Sequence, residues 1–131
     1  MIGKPRKPTK AELEQIAIRE PAIKLCWTPG GVLKSLCSNP AFNVSFVGVE
    51  YKLGCVTEAH RRSLSQESAG LFCYRDEGEA GAQLSILNND LSLHPFTVVE
   101  VIPLGEKVAR VFGLDYNWPK VYVKSIIKKV A

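Results

Sequence analysis

Residues 42–53 are the segment that most constrains the fold. Phe42, Val44 and Phe46 alternate with Asn43 and Ser45, so they share one face of an extended strand. After Gly48 the phase inverts, and Val47, Val49, Tyr51 and Leu53 form the apolar set. Side chains on a strand repeat every two residues, so a one-residue slip exchanges the faces. A β-bulge at or near Gly48 accounts for both the inversion and the glycine, and bulges bend strands. The segment predicts a strongly curved sheet or small barrel; a strand buried on both faces is the alternative.

The flanking patterns set what surrounds that strand. Thr9-Lys10-Ala11-Glu12 is a capping box, and Leu13, Ile16 and Ala17 follow at helical spacing. They predict a helix over residues 10–20 that Pro21 stops. Ile23, Leu25 and Trp27 alternate as a short strand, with a continued helix as the alternative, and Thr28-Pro29 opens a candidate second helix with Val32, Leu33, Leu36 and Cys37 inward that Asn39-Pro40 ends. Residues 54–70 read as a polar loop or short exposed helix. Residues 71–75 and 83–87 read as paired strands around a turn over 76–81. Residues 96–102 read as a central strand closed by Pro103, residues 106–112 fit helix or strand, and 121–127 read as a last strand.

Helices followed by runs of strands define an α+β class. The expectation is one or two N-terminal helices followed by a curved, mostly antiparallel sheet or small barrel of about five to six strands. A chain of 131 residues fits a single domain over 1–131, with Pro5, Pro8 and four cations marking 1–8 and its border as a flexible basic arm.

Charge is divided along the chain. Lys4, Arg6, Lys7 and Lys10 give residues 1–10 a net +4, and Lys120, Lys124, Lys128 and Lys129 give residues 120–131 another +4. The whole chain is only +4, so residues 11–119 sum to −4. Clustered cations attract phosphate or acidic protein. No apolar run reaches the roughly 18 residues that span a bilayer. The N-terminus carries positive charge without an apolar stretch behind it, so the expectation is a cytoplasmic protein with no membrane partner. Cys26, Cys37, Cys55 and Cys73 form no Cys-x-x-Cys pair and have no histidine at zinc spacing, which predicts free thiols and no metal.

Four constellations carry chemistry. Glu50 and Lys52 are two apart on a strand, the arrangement that lets a carboxylate hold Mg²⁺ beside a lysine that orients water. The upstream acid such a nuclease needs is absent, so no catalytic residue is assigned. Cys55, Glu58 and His60 read as a thiol beside a solvated loop, and His94 as a turn residue. Thr28-Pro29-Gly30-Gly31 lacks the end of a phosphate-binding loop. The fourth set is Arg61, Arg62, Trp118, Lys120, Tyr122, Lys124 and Lys128, cations beside aromatics, which suit stacking on bases and pairing with phosphates.

These residues predict a small noncatalytic binding domain without a cofactor, contacting a macromolecule, first nucleic acid through that fourth set. An acidic protein, a second copy of the chain, and an apolar ligand held by Phe46, Tyr51, Phe72 and Trp118 are the alternatives. The nuclease using Glu50 and Lys52 is the last of them. Lys124 and Lys128 project to one face of the last strand and Lys129 to the other.

Overall fold

Two long strands, β6 (Phe96–Leu104) and β8 (Lys120–Val130), form the spine of the molecule and pair antiparallel over the length of β6. The computed structural model describes residues 3–42, 48–60, 70–108 and 116–131. The remaining strands are β1 (Ala22–Trp27), β2 (Leu33–Ser35), β3 (Glu50–Tyr51), β4 (Val56–Glu58), β5 (Leu71–Phe72) and β7 (Asn117–Trp118). The helices are α1 (Lys10–Ile18) and α2 (Glu77–Asn89). Six strands form one open antiparallel sheet in the order β3-β2-β1-β6-β8-β4, and β5 pairs with β7 in a small second sheet. The chain is thus an α+β protein with a curved antiparallel sheet.

Residues directly opposite on neighbouring strands share a face. One face carries Ala22, Cys26, Leu33, Tyr51, Val99, Val101, Val121 and Val123, which pack as one buried cluster with Leu71 and Cys73 of the small sheet. Tyr51 of the edge strand β3 and Val123 of β8, four strands along the order, both join this cluster, so the sheet wraps around it. Val99, Val101, Val121 and Val123 are fully enclosed. Each contributes about 1.5–3 kcal/mol of transfer free energy. The other face carries Ile23, Leu25, Phe96 and Val98 against Ala80 and Leu87 of α2, and further along Ile102 and Leu104 beside Ile16 of α1.

The curvature has a different source from the one the sequence suggested. Residues 43–47 of the predicted bulged strand lie outside the described residues, Phe42 closes a 3₁₀ turn, and Gly48 precedes β3. Two register shifts fall instead between β6 and β8, at Val98/Val99 and at Glu100/Val101. Each leaves one extra residue on β8, Ile127 and Lys124, and bulges of this kind raise the local twist. Two single slips restore parity, so the register sets Lys128 opposite Val98 on the helix-covered face and Lys129 opposite Thr97 on the inner face.

Two local expectations are corrected. The second helix is not at 29–39, where two 3₁₀ turns flank β2. It is α2, over residues expected to be a turn and a strand. Asp76 caps it by accepting from the Glu79 amide at 2.8 Å, Glu77 and Glu79 suit the positive end of its dipole, and Ala80, Leu84 and Leu87 fall on its buried side. Pro103 does not close β6, which continues to Leu104. Beyond Val101 the strand has only β8 as neighbour among the described residues, and an edge of this kind tolerates a residue without an amide hydrogen.

The basic arm is tied into the sheet rather than free. Gly3 donates its amide to the Glu58 carbonyl (3.0 Å) and accepts from the Glu50 amide (2.9 Å), which bonds both edge strands at one residue. Arg6 and Val56 exchange two main-chain bonds of 2.9 and 2.7 Å. A run of prolines and lysines reads as loose because this docking is made of main-chain groups, which every sequence has.

Candidate functional site

The sites follow from which cations remain unpaired. The α1 capping box forms as its sequence dictates, Thr9 Oγ1 accepting from the Glu12 amide at 3.2 Å and Glu12 accepting from the Thr9 amide at 2.9 Å. Glu12 is the one buried residue of α1. Arg6 grips its carboxylate with two bonds of 2.7 and 2.8 Å, and Lys120 lies 2.8 Å away. Arg6 also reaches Glu58 at 2.7 Å. The Arg6 guanidinium holds the Glu12 carboxyl well below the usual carboxylate range. Leu13, expected inside, is exposed; Gln15 accepts from the Gly105 amide and Arg19 donates to the Gly105 carbonyl. Polar groups along one side of α1 therefore dock the helix, with Ile16 beside them.

Both basic ends thus meet the same acid. Lys4 pairs with Glu50 at 2.7 Å, and Lys124 lies 3.3 Å from Glu100. Of the expected nucleic-acid set, Arg61 and Arg62 lie outside the described residues. Lys120 and Lys124 carry carboxylate partners, and Lys128 has none among the described residues. Trp118 packs on the inner cluster with its Nε1 buried, whereas Tyr122 packs beside Ile102 and Ile16 on the opposite face. The structure therefore divides this set between two faces of the sheet. Lys4 occupies the Glu50 carboxylate of the Glu50–Lys52 pair, and no cluster of three metal-ligating side chains exists among the described residues.

The expected apolar pocket is likewise divided. Phe46 lies outside the described residues, and Phe72 meets Tyr74 edge-on at 4.9 Å. Trp118 lines a cleft of about 380 Å³ with Tyr116, Arg19 and Lys107. Tyr51 lines a larger groove of about 660 Å³. The cysteines are free; Cys26 and Cys73 are buried, and burial pushes their thiols up to about 12 and about 11. His60 approaches the Gly48 carbonyl, and His94 bridges the carbonyls of Leu87 and Ala131.

The large groove arises where the sheet fails to close. β4 pairs with β8 only over Val56–Glu58, opposite Tyr122–Lys120, and a single bridge joins Leu53 to Val123. From residue 124 to 130, the edge of β8 away from β6 has no strand partner among the described residues. The groove fills that gap at the end of the sheet where β1 stops and β2 and β6 begin. Val32, Leu33, Leu53, Ile126 and Val130 line it; Val32, Leu53 and Ile126 are 45%, 51% and 38% exposed.

Its polar groups are few and placed. Thr97 donates to Thr28 at 3.1 Å, and the pair holds two hydroxyl hydrogens of which this bond uses one. Tyr51 is buried with an Oη that has no hydrogen-bond partner among the described residues, and Lys24 lies behind its ring, Nζ 5.3 Å from the centroid and 2.6 Å from the Phe72 carbonyl. Burial raises the Tyr51 hydroxyl well above its ordinary value. Lys52 and Lys129, both exposed, line the groove without an ion-pair partner among the described residues, and Glu50, paired with Lys4, lines it beside them.

Sequence reasoning missed this site apart from Tyr51. Its signal was Ile126-Ile127 among Lys124, Lys128 and Lys129 at the end of the last predicted strand. No protein-family model, curated protein or solved structure matches the chain.

Proposed function

We propose that this chain is a binding domain whose site is the groove beside β8, and that its ligand is extended, largely apolar and anionic at one point. The observation that carries this reading is a mostly apolar groove of about 660 Å³ on whose lining Lys52 and Lys129 have no ion-pair partner among the described residues, while the one acidic side chain there, Glu50, is held by Lys4. Binding pockets typically measure about 300–1,000 Å³ and combine apolar walls with a few directed polar groups. Apolar side chains of the ligand replace water on Val32, Leu33, Leu53 and Ile126. The Thr28–Thr97 pair supplies a hydroxyl donor, and Lys52 and Lys129 supply positive charge. Nucleic-acid binding through the basic ends draws less support, because Glu12 and Glu100 engage Lys120 and Lys124.

Anilinonaphthalene sulfonate combines an apolar ring system with one anion and reports its own burial by fluorescence. It should bind saturably at one equivalent. Ile126→Asp should weaken it about tenfold or more, the loss of an apolar contact plus a buried carboxylate. Leu91→Asp, at a residue 80% exposed elsewhere on the surface, should leave binding unchanged. Unsaturable binding, or equal effects of the two substitutions, refutes the reading.

A further inference from the structure

We infer that the occupant of this groove is an extended peptide segment in which apolar and acidic residues alternate, added as a new strand to the free edge of β8. The inference rests on the groove reading above and names its partner class.

The first argument is the backbone. A strand edge with no neighbour presents amide and carbonyl groups at regular spacing, a template for another chain. Residues 124–130 of β8 leave that edge unpaired among the described residues. At about 3.3 Å per residue the free edge is roughly 20 Å long. The outermost strands are covered, the arm bonding β4 through Arg6 and Val56 and β3 through Gly3 and Glu50, and the three residues of β6 beyond Val101 are too short an edge and meet the Arg19 side chain at the Pro103 carbonyl. Shielding elsewhere and exposure here single out β8 as the place where a strand can be added.

The second argument is side-chain alternation. A strand beside β8 turns every second side chain to the inner face, where Ile126 and Lys129 line the groove. Its other side chains fall beside Lys128 on the opposite face. Apolar residues suit the first set and carboxylates the second, with a carboxylate at the groove end meeting Lys129 and Lys52.

The third argument selects between partners. On the free edge, residues 124–130 contain no acidic side chain, and Lys128 and Lys129 have no ion-pair partner among the described residues, whereas Lys124 is held by Glu100. Pairing two copies of β8 brings the lysines of both to one seam with no carboxylate from either strand, and like charges across a sheet are destabilising. The same charge attracts an acidic segment. A polynucleotide offers phosphates to Lys128 and Lys129 but no alternating amides and carbonyls for the strand edge.

The probe is a fluorescein-labelled nonapeptide alternating valine with glutamate, titrated by anisotropy against the whole chain. Two versions carry N-methyl groups on alternate residues, one on the odd set and one on the even set. In an added strand only one set of amides faces β8, so one version should bind about tenfold or more weakly and the other within about threefold of the parent. A valine–lysine peptide should fail to bind. Equal affinity of both methylated sets, or binding of the lysine peptide, overturns strand addition. A parent peptide that does not bind overturns it too. If anilinonaphthalene sulfonate still occupies the groove, the groove reading survives; if the dye also fails, both fall. Displacement of the peptide by a single-stranded oligothymidylate of similar length overturns the inference in favour of nucleic acid.

Discussion

The Glu12 carboxylate joins four parts of the chain, and Glu12→Gln tests what that junction contributes. The side chain keeps its shape and can still accept from the Thr9 amide, so the change isolates charge. The parent carboxylate takes two bonds from Arg6, at 2.7 and 2.8 Å, and one ion pair with Lys120 at 2.8 Å. Hydrogen bonds to charged groups contribute about 1.5–3 kcal/mol each, against about 1 kcal/mol for neutral ones. The Arg6 and Lys120 side chains are 27% and 29% exposed, so water recovers part of the loss, and Arg6 keeps Glu58. The expected destabilisation is about 2 kcal/mol after that discount. It corresponds to a fall in Tm of about 6–10 °C for a chain of this size. The pH dependence gives a second reading. The folded-state carboxyl sits below its unfolded value, so its stabilisation is complete above the unfolded value of about 4.3 and is lost as pH falls towards the folded value. Urea unfolding of parent and variant should therefore differ fully at neutral pH and converge in acid. A difference under about 0.5 kcal/mol at neutral pH, or one that stays constant into strong acid, refutes the argument.

Thiol labelling of the native chain should modify Cys37 first and Cys55 more slowly, and leave Cys26 and Cys73 untouched until denaturant is added. Mass spectrometry counts the adducts, and four adducts at one rate would contradict the burial of that pair. Leu87→Ala, at a residue with no exposure between α2 and the sheet, should cost about 2–5 kcal/mol in urea unfolding. A loss under about 1 kcal/mol would mean that α2 does not pack there in solution.

The sequence made α1 and the long strands legible because their signals are local. A capping box names its own partners, and β-branched runs such as 96–102 and 121–127 carry period-2 side chains regardless of neighbours. α2 was misread because Gly78 and Gly81 resemble turn residues, while the opposing signal was split between the Asp76 cap and Ala80, Leu84 and Leu87. The candidate site was legible only in Tyr51. It depends on where β4 stops pairing with β8, a non-local fact that no spacing within either segment encodes. The charge pattern misled for the same reason: the acids that neutralise the basic ends, Glu12, Glu50, Glu58 and Glu100, reach them only through the fold.

The docking of the arm has a consequence for how the chain comes together. Arg6 bonds Val56 and Glu58, and Glu12 waits for Lys120, so the contacts of the arm and α1 are complete only once β8 has been made. Such long-range closures are slow, because the intervening chain must be ordered first. Until then the edges of β3 and β4 stand uncovered beside their neighbours, and the nascent chain is open at three edges rather than one. The window in which this protein is vulnerable to aggregation is therefore set less by its helices than by the arrival of one arginine.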